Sequence, residues 1–377
     1  MNLLNKKVRL LSEDEIYPGM FDLPKGLFML TVIFSHCMGM FFHVYEHETT
    51  SNFIASCFIT VYNVLEGSTI PLLFLICGFG WRKRTMQKTI KAEGSWFLRP
   101  YLLVSAIIFL SGLIAALVNK ASLGSAAVYF GTPFLLGLCP GQIPYFGIET
   151  IPIGVLWCMV TYVFSGILLN AVLHAREGWA QWVIIVLLAA VGVMLKNVAL
   201  PFCFQQALVC TGYMYVGYRI KKSDMLAKEV PLYMLVFVIP FVLISFKGNY
   251  LDFSAHIWTN GLSDLFFALL GAFLLLILLM KCNDWQGKFI EWIRWIGRNI
   301  FFVCCAHNVW IMVPQIFLGF SGYSLDRLLE LPKGQKIVWI LLLSAIQLLL
   351  ACGSVYLVKK IQSRSKKNPA AASSSGI

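Results

Sequence analysis

The sequence predicts an all-α, polytopic membrane protein with about ten transmembrane helices and both termini in the cytoplasm. Three observations carry this expectation. Hydrophobic residues make up 59% of the 377-residue chain and charged residues only 13%, with a mean hydropathy of +0.76, a balance that leaves too little polar surface for a soluble globule. Runs close to 20 apolar residues recur ten times along the chain, the length that crosses a hydrocarbon core of ~30 Å as a helix. The segments between them alternate in basic content, so the net charge of +12 reads first as an orientation signal and not as affinity for nucleic acid.

In chain order the spans are expected at 26–45, 62–81, 101–118, 152–173, 179–195, 200–218, 231–246, 262–281, 299–320 and 337–358. With both termini inside, the inward segments hold 24 of the 30 basic residues, and only Lys120, Lys196, Lys247, Arg327, Lys333 and Lys336 fall outside. That bias requires an even number of spans. One stretch breaks the pattern. Residues 121–151 are apolar but interrupted by Gly124, Gly131, Pro133, Gly137, Pro140, Gly141, Pro144 and Gly147, and are read either as an outer, re-entrant loop near the mouth of the site or as a surface loop in the interface.

The N-terminal segment, residues 1–20, shows no small-residue cleavage site behind an apolar stretch and is expected to stay in the cytoplasm. A single membrane domain is expected over 21–360. The tail, 361–377, is polar and basic, and is expected to be disordered with its lysines held near anionic lipid. The eleven cysteines lie mostly inside apolar runs without CxxC or Cys/His spacing, so neither a disulfide framework nor a metal centre is expected.

The chemistry concentrates in the first span, KGLFMLTVIFSHCMGMFFHVY. Lys25 and His36 are eleven residues apart, about three helical turns, which puts both side chains on one face some ~16 Å from each other. An ionisable pair in an apolar span is costly in lipid. It is therefore read as a functional site facing the protein interior.

The chain around this pair, FDLPKGLFMLTVIFSH, resembles the acyltransferase-3 family of integral membrane acyltransferases, with Lys25 and His36 matching a basic residue and essential histidine, and Asp22 and Gly26 matching the lead-in. Further similarities follow in order: IPLLFLICGFGWRKR, FLRPYLL, IGVLWCMVTYVFSG, ALVCTGYMYVGYRIKK and IGRNIFFVCCAHN. The resemblance covers about residues 20–320 and departs from the family where Trp96 replaces an arginine ahead of Arg99-Pro100-Tyr101, and where Ile300-Phe301 and Cys304 replace Ser-Leu and Tyr. Its latter half looks closest to the sugar O-acetylase branch related to fucose 4-O-acetylases.

What the resemblance implies is an O-acyltransferase of the cell membrane. It would move an acyl group, in the first place acetyl, from cytoplasmic acyl-CoA to a hydroxyl of a cell-surface or lipid-linked carbohydrate. No bound cofactor is implied, acyl-CoA being a co-substrate. His36 would be the general base, since an alcohol is a poor nucleophile until its proton is taken and imidazole titrates in the right range. Lys25, Arg82, Arg84 and Arg99 would hold the phosphates of the donor; equally, Lys25 snorkels and the 82–99 cluster anchors topology. His307 is read as a supporting residue or a structural hydrogen-bonding group. His43 either extends the site outward or sits in a solvated helix end, and Glu66 and Glu149 contact either the acceptor or water. The rival class is a transporter or flippase for a glycan or glycolipid, to which ten spans and a buried ionisable pair are also suited, though no internal repeat is evident. The acceptor, the acyl chain length and the oligomeric state are left open.

Overall fold

The computed structural model describes residues 7–9, 19–39, 53–138, 150–195, 198, 200–231, 251–320 and 333–367. They are overwhelmingly helical. In chain order the helices are α1 (Asp22–Gly39), α2 (Phe53–Gly80), α3 (Met86–Val118), α4 (Leu123–Leu136), α5 (Leu156–Val172), α6 (Trp179–Met194), α7 (Phe204–Lys222), α8 (Leu262–Lys281), α9 (Lys288–Arg298), α10 (Ile300–Phe320) and α11 (Lys333–Lys367). Four of them, Met86–Val118, Leu262–Lys281, Ile300–Gly319 and Gln335–Ser363, contain stretches long and apolar enough to cross a membrane. A chain with such helices is membrane-embedded, because only there do so many exposed leucines and valines avoid water.

Nine of the ten expected spans overlap a helix; residues 40–45 of the first lie outside the described residues, as does the span expected at 231–246 beyond Pro231. The boundaries differ in instructive ways. Helix α2 begins at Phe53, nine residues before the expected span, and α3 begins at Met86, which puts Lys88, Lys91 and Arg99 on a helix. A hydropathy window registers only the part of a helix that is apolar throughout, whereas backbone hydrogen bonding continues into more polar sequence. Likewise α11 continues to Lys367, so residues 361–367 of the expected disordered tail are helical.

The largest correction concerns 121–151. A loop is expected there, yet Leu123–Leu136 forms α4, capped by Ser122, whose hydroxyl accepts from Ser125 N, and closed by Gly137 at φ 59°. It packs back along α3: Phe130 lies over Gly112, and Tyr101 Oη donates to Phe134 O at 2.6 Å. At ~1.5 Å per residue its fourteen residues reach about 21 Å, short of a full crossing.

Packing of the remaining helices relies on glycine at the closest crossings. Gly217 of α7 sits on the Leu75 carbonyl of α2, and Gly78 of α2 sits on the Met214 backbone of α7, so a Cβ at either position would collide with main chain. The amphipathic α9 lies across the start of α1 in the same manner, Gly26 facing the Ile293 carbonyl and Gly297 the Asp22 carbonyl. Its buried face is Ile293, Ile296 and Gly297, while Phe289 is exposed. That pattern suits an interfacial helix.

Contacts then sort the helix ends into two groups. At one end Phe21 meets Phe79 at 5.1 Å, Lys221 lies over the Phe79 ring, and Asn283 Nδ2 donates to Met20 O. At that end, too, the Asn170 side chain bridges both backbone groups of Arg84, Glu177 pairs with Arg219 and Lys222, and Lys359 donates to Asn299 Oδ1. The hydrogen-bonded Lys222 holds the Glu177 carboxyl below the usual carboxylate range. At the other end Ile153 N donates to Leu138 O, Cys203 Sγ to Gly137 O, and Gln205 Nε2 faces both Val198 O and His256.

Two short antiparallel pairs complete the fold. Strand β1 (Lys7–Arg9) pairs with β2 (Glu229–Pro231), Val8 opposite Val230, and β3 (Leu251–Asp252) pairs with β4 (Ile257–Trp258).

Candidate functional site

Helix α1 opens with Asp22 in its first turn, where a carboxylate favours the helix N-terminus, and with Pro24, which the first turn tolerates. It then runs unbroken through Gly39, so Lys25 and His36 do lie on one helix with the expected spacing. His36 is in the last turn and is half-buried. His307, on α10, is fully buried.

The fold brings these two histidines together across 271 residues of sequence. His36 Nδ1 and His307 Nε2 are 3.0 Å apart, with the ring planes 7° from parallel. The pair rests on an apolar cluster from α1, α9, α10 and α11, including Met29, Ile33, Val303, Ala351 and Val355. At this distance one nitrogen carries the proton and the other accepts it, so the contact links two neutral imidazoles through a single N–H.

Three further polar side chains stand on or near the elements that carry the pair. Asn308, the neighbour of His307, accepts from Val155 N at 2.7 Å and donates to Ile153 O, fastening the turn before α5. Gly154 in that turn has φ 62°, and any Cβ there would strike Asn308 Oδ1. Asp252, at the β3–β4 turn, holds Ser254 N, Ser254 Oγ and Ala255 N, and its carboxylate is within electrostatic reach of His36. Gln347 of α11 neighbours His307. A polar residue inside an apolar span is the signal that marks Gln347 and Asn308; Asp252, in a short hairpin, carries none.

The cationic candidates divide. Lys25 forms an ion pair with Asp22 at 3.0 Å, and Asp22 also lies 3.9 Å from Arg298. Arg84 faces Glu93 at 3.7 Å, where Glu93 is buried and accepts from Trp96 Nε1 at 3.0 Å. Trp96, ahead of Arg99 on α3, packs on Tyr162 and Phe301. Arg82 is exposed beside Arg84 in the α2–α3 connection, at the same end of the bundle as Lys25. Arg99 is exposed on α3, about 20 Å along the helix from Met86. The structure thus gathers Lys25, Arg82 and Arg84 but sets Arg99 apart. His43 and Glu149 lie outside the described residues, as does the side chain of Glu66.

Among the described residues no group of His, Cys, Asp and Glu is placed to hold a metal ion. No known protein family matches the chain, and no curated protein or solved structure matches it. Its function is therefore argued from the site.

Proposed function

We propose that the protein is an integral membrane O-acyltransferase, of the acyltransferase-3 kind its motifs resemble, with His36 as the general base. It moves an acyl group, in the first place acetyl, from cytoplasmic acyl-CoA to a hydroxyl of a cell-surface or lipid-linked carbohydrate. The observation that carries this reading is the 3.0 Å contact between His36 Nδ1 and His307 Nε2 inside the helical bundle. When His36 donates from Nδ1, its Nε2 keeps a free lone pair on the less buried of the two rings.

The chemistry then closes. The acceptor hydroxyl gives its proton to His36 Nε2 as its oxygen attacks the thioester carbonyl. The carbonyl carbon forms the ester C–O bond, the C–S bond breaks, and the CoA thiolate leaves with the proton returned from His36. While His36 holds that proton, the Asp252 carboxylate stabilises the charge it bears. Lys25, Arg82 and Arg84 supply cations at one mouth for the donor phosphates.

The same reading places ten spans in the plasma membrane with both termini in the cytoplasm. In its favour, the segments chosen as inward by their basic residues meet at one end of the bundle. Purified protein supplied with acetyl-CoA tests the function: hydrolysis or transfer of the thioester, lost in His36→Ala by about 10²- to 10⁴-fold with the fold retained, is the expected result. Near-normal turnover in well-folded His36→Ala, or counterflow of an unmodified glycan with an intact thioester pool, overturns it.

A further inference from the structure

We propose that Gln347 is a positioning residue that locks the His307–His36 pair into the one tautomer in which His36 is a base. The inference rests on the acyltransferase reading for its consequence, and on the structure's own atoms for its chemistry.

Two neutral imidazoles joined Nδ1 to Nε2 have two arrangements. In one, His36 Nδ1–H donates to His307 Nε2; His36 Nε2 is then a bare lone pair, and His307 carries its proton on Nδ1. In the other, His307 Nε2–H donates to His36 Nδ1, which forces the remaining His36 proton onto Nε2 and leaves no base. The hydrogen bond between the rings does not choose. The choice falls to whatever faces His307 Nδ1.

That atom is buried without a hydrogen bond, and so is Oε1 of Gln347, the side chain that neighbours His307. The orientation of the Gln347 amide is set by its other end, where Nε2 donates to Trp310 O at 3.0 Å. A carbonyl only accepts, so the NH₂ must face Trp310 and the oxygen is left for His307. Two buried polar atoms lacking partners are each costly, and one bond between them satisfies both. The bond requires a proton on His307 Nδ1. It thereby selects the arrangement with His36 Nε2 free. Gln347 Oε1, His307 and His36 then make a chain that ends in a lone pair aimed at the acceptor hydroxyl. Asp252 is the charged group that also acts on His36; it favours the imidazolium once the proton has moved.

The experiment is ¹⁵N NMR of histidine-labelled protein in nanodiscs, with the two signals assigned by their loss in His36→Gln and His307→Gln. Both rings are expected to carry hydrogen on Nδ1 and none on Nε2. In Gln347→Leu the tautomers should mix and kcat should fall by about 10- to 100-fold, as for groups that orient imidazoles elsewhere, with the donor KM unchanged. Gln347→Glu as the neutral acid, whose O–H donates to Trp310 O and whose carbonyl oxygen accepts the same bond, should keep the wild-type tautomer and most of the rate. A His36 Nε2–H in the wild-type spectrum overturns the proposal even if Gln347→Leu fails to fold. So does a Gln347→Leu protein with unaltered tautomers and rate. If His36→Ala stays active while the tautomers behave as expected, the acyltransferase reading fails and the proton arrangement stands.

Discussion

Lys25 is the residue at which the spacing and the structure give different emphasis. Eleven residues from His36 on one continuous helix, it would on the proposed reading meet the donor; yet its ammonium already meets Asp22 at 3.0 Å. The pair is partly buried, and a donor phosphate, which carries more charge and more acceptor oxygens than a carboxylate, would compete for the ammonium. Lys25→Ala should therefore raise the donor KM several-fold while Lys25→Arg retains most of the affinity, and donor-titration kinetics read the difference. An unchanged KM and turnover in Lys25→Ala would remove it from the site. At this scale the sequence revealed the groups whose cost in lipid makes them conspicuous, His36 and His307. Their direct contact was not legible, because two positions 271 residues apart carry no mutual signal in a single chain. Asp252 was invisible for the opposite reason: a carboxylate in a polar turn costs nothing and looks like any other.

Helices were legible wherever their sequence was apolar throughout. The span expected at 262–281 and helix α8 share both ends, and 179–195 differs from α6 by one residue. Where helical hydrogen bonding runs on into polar sequence, as in the first half of α3, hydropathy marked only the uniformly apolar part. Helix α4 escaped because Gly131 and Pro133 argue against a helix in isolation, and its pairing with α3 overrides that local preference. Close packing gives this scale its own prediction. Gly217→Leu must push α7 away from the Leu75 carbonyl, and overpacking of that sort typically costs about 1–3 kcal/mol. Thermal unfolding in detergent should show a clear drop in Tm, whereas the same change at Gly94, with open space around its Cα, should leave Tm nearly unaltered.

For the whole molecule, the meeting at one end of the segments proposed to face inward makes topology testable at the other. Ser125 stands near the start of α4, exposed beside the turn that follows α3. In a background without reactive thiols, Ser125→Cys should label with an impermeant reagent from outside intact cells. Labelling only after the cytoplasmic face is opened would put the α3–α4 turn inside and break the proposed parity. A reporter fused after Ile377 should be active only in its cytoplasmic form.

The histidine contact also has a history within each molecule's synthesis. A ribosome adding roughly 5–20 residues per second needs about 14–54 s to travel the 271 residues from His36 to His307. Throughout that interval α1 has been made but the ring that completes its hydrogen bond has not. The imidazole must wait in water, against the insertion machinery, or behind other early helices. A chain that stops before α10 therefore carries an unfinished polar group in an apolar helix, which is a mark by which quality control could tell an incomplete protein from a whole one. On the proposed reading it also lacks half of the site, so a truncated copy that reached the membrane would hold its histidine without the partner that would make it a base.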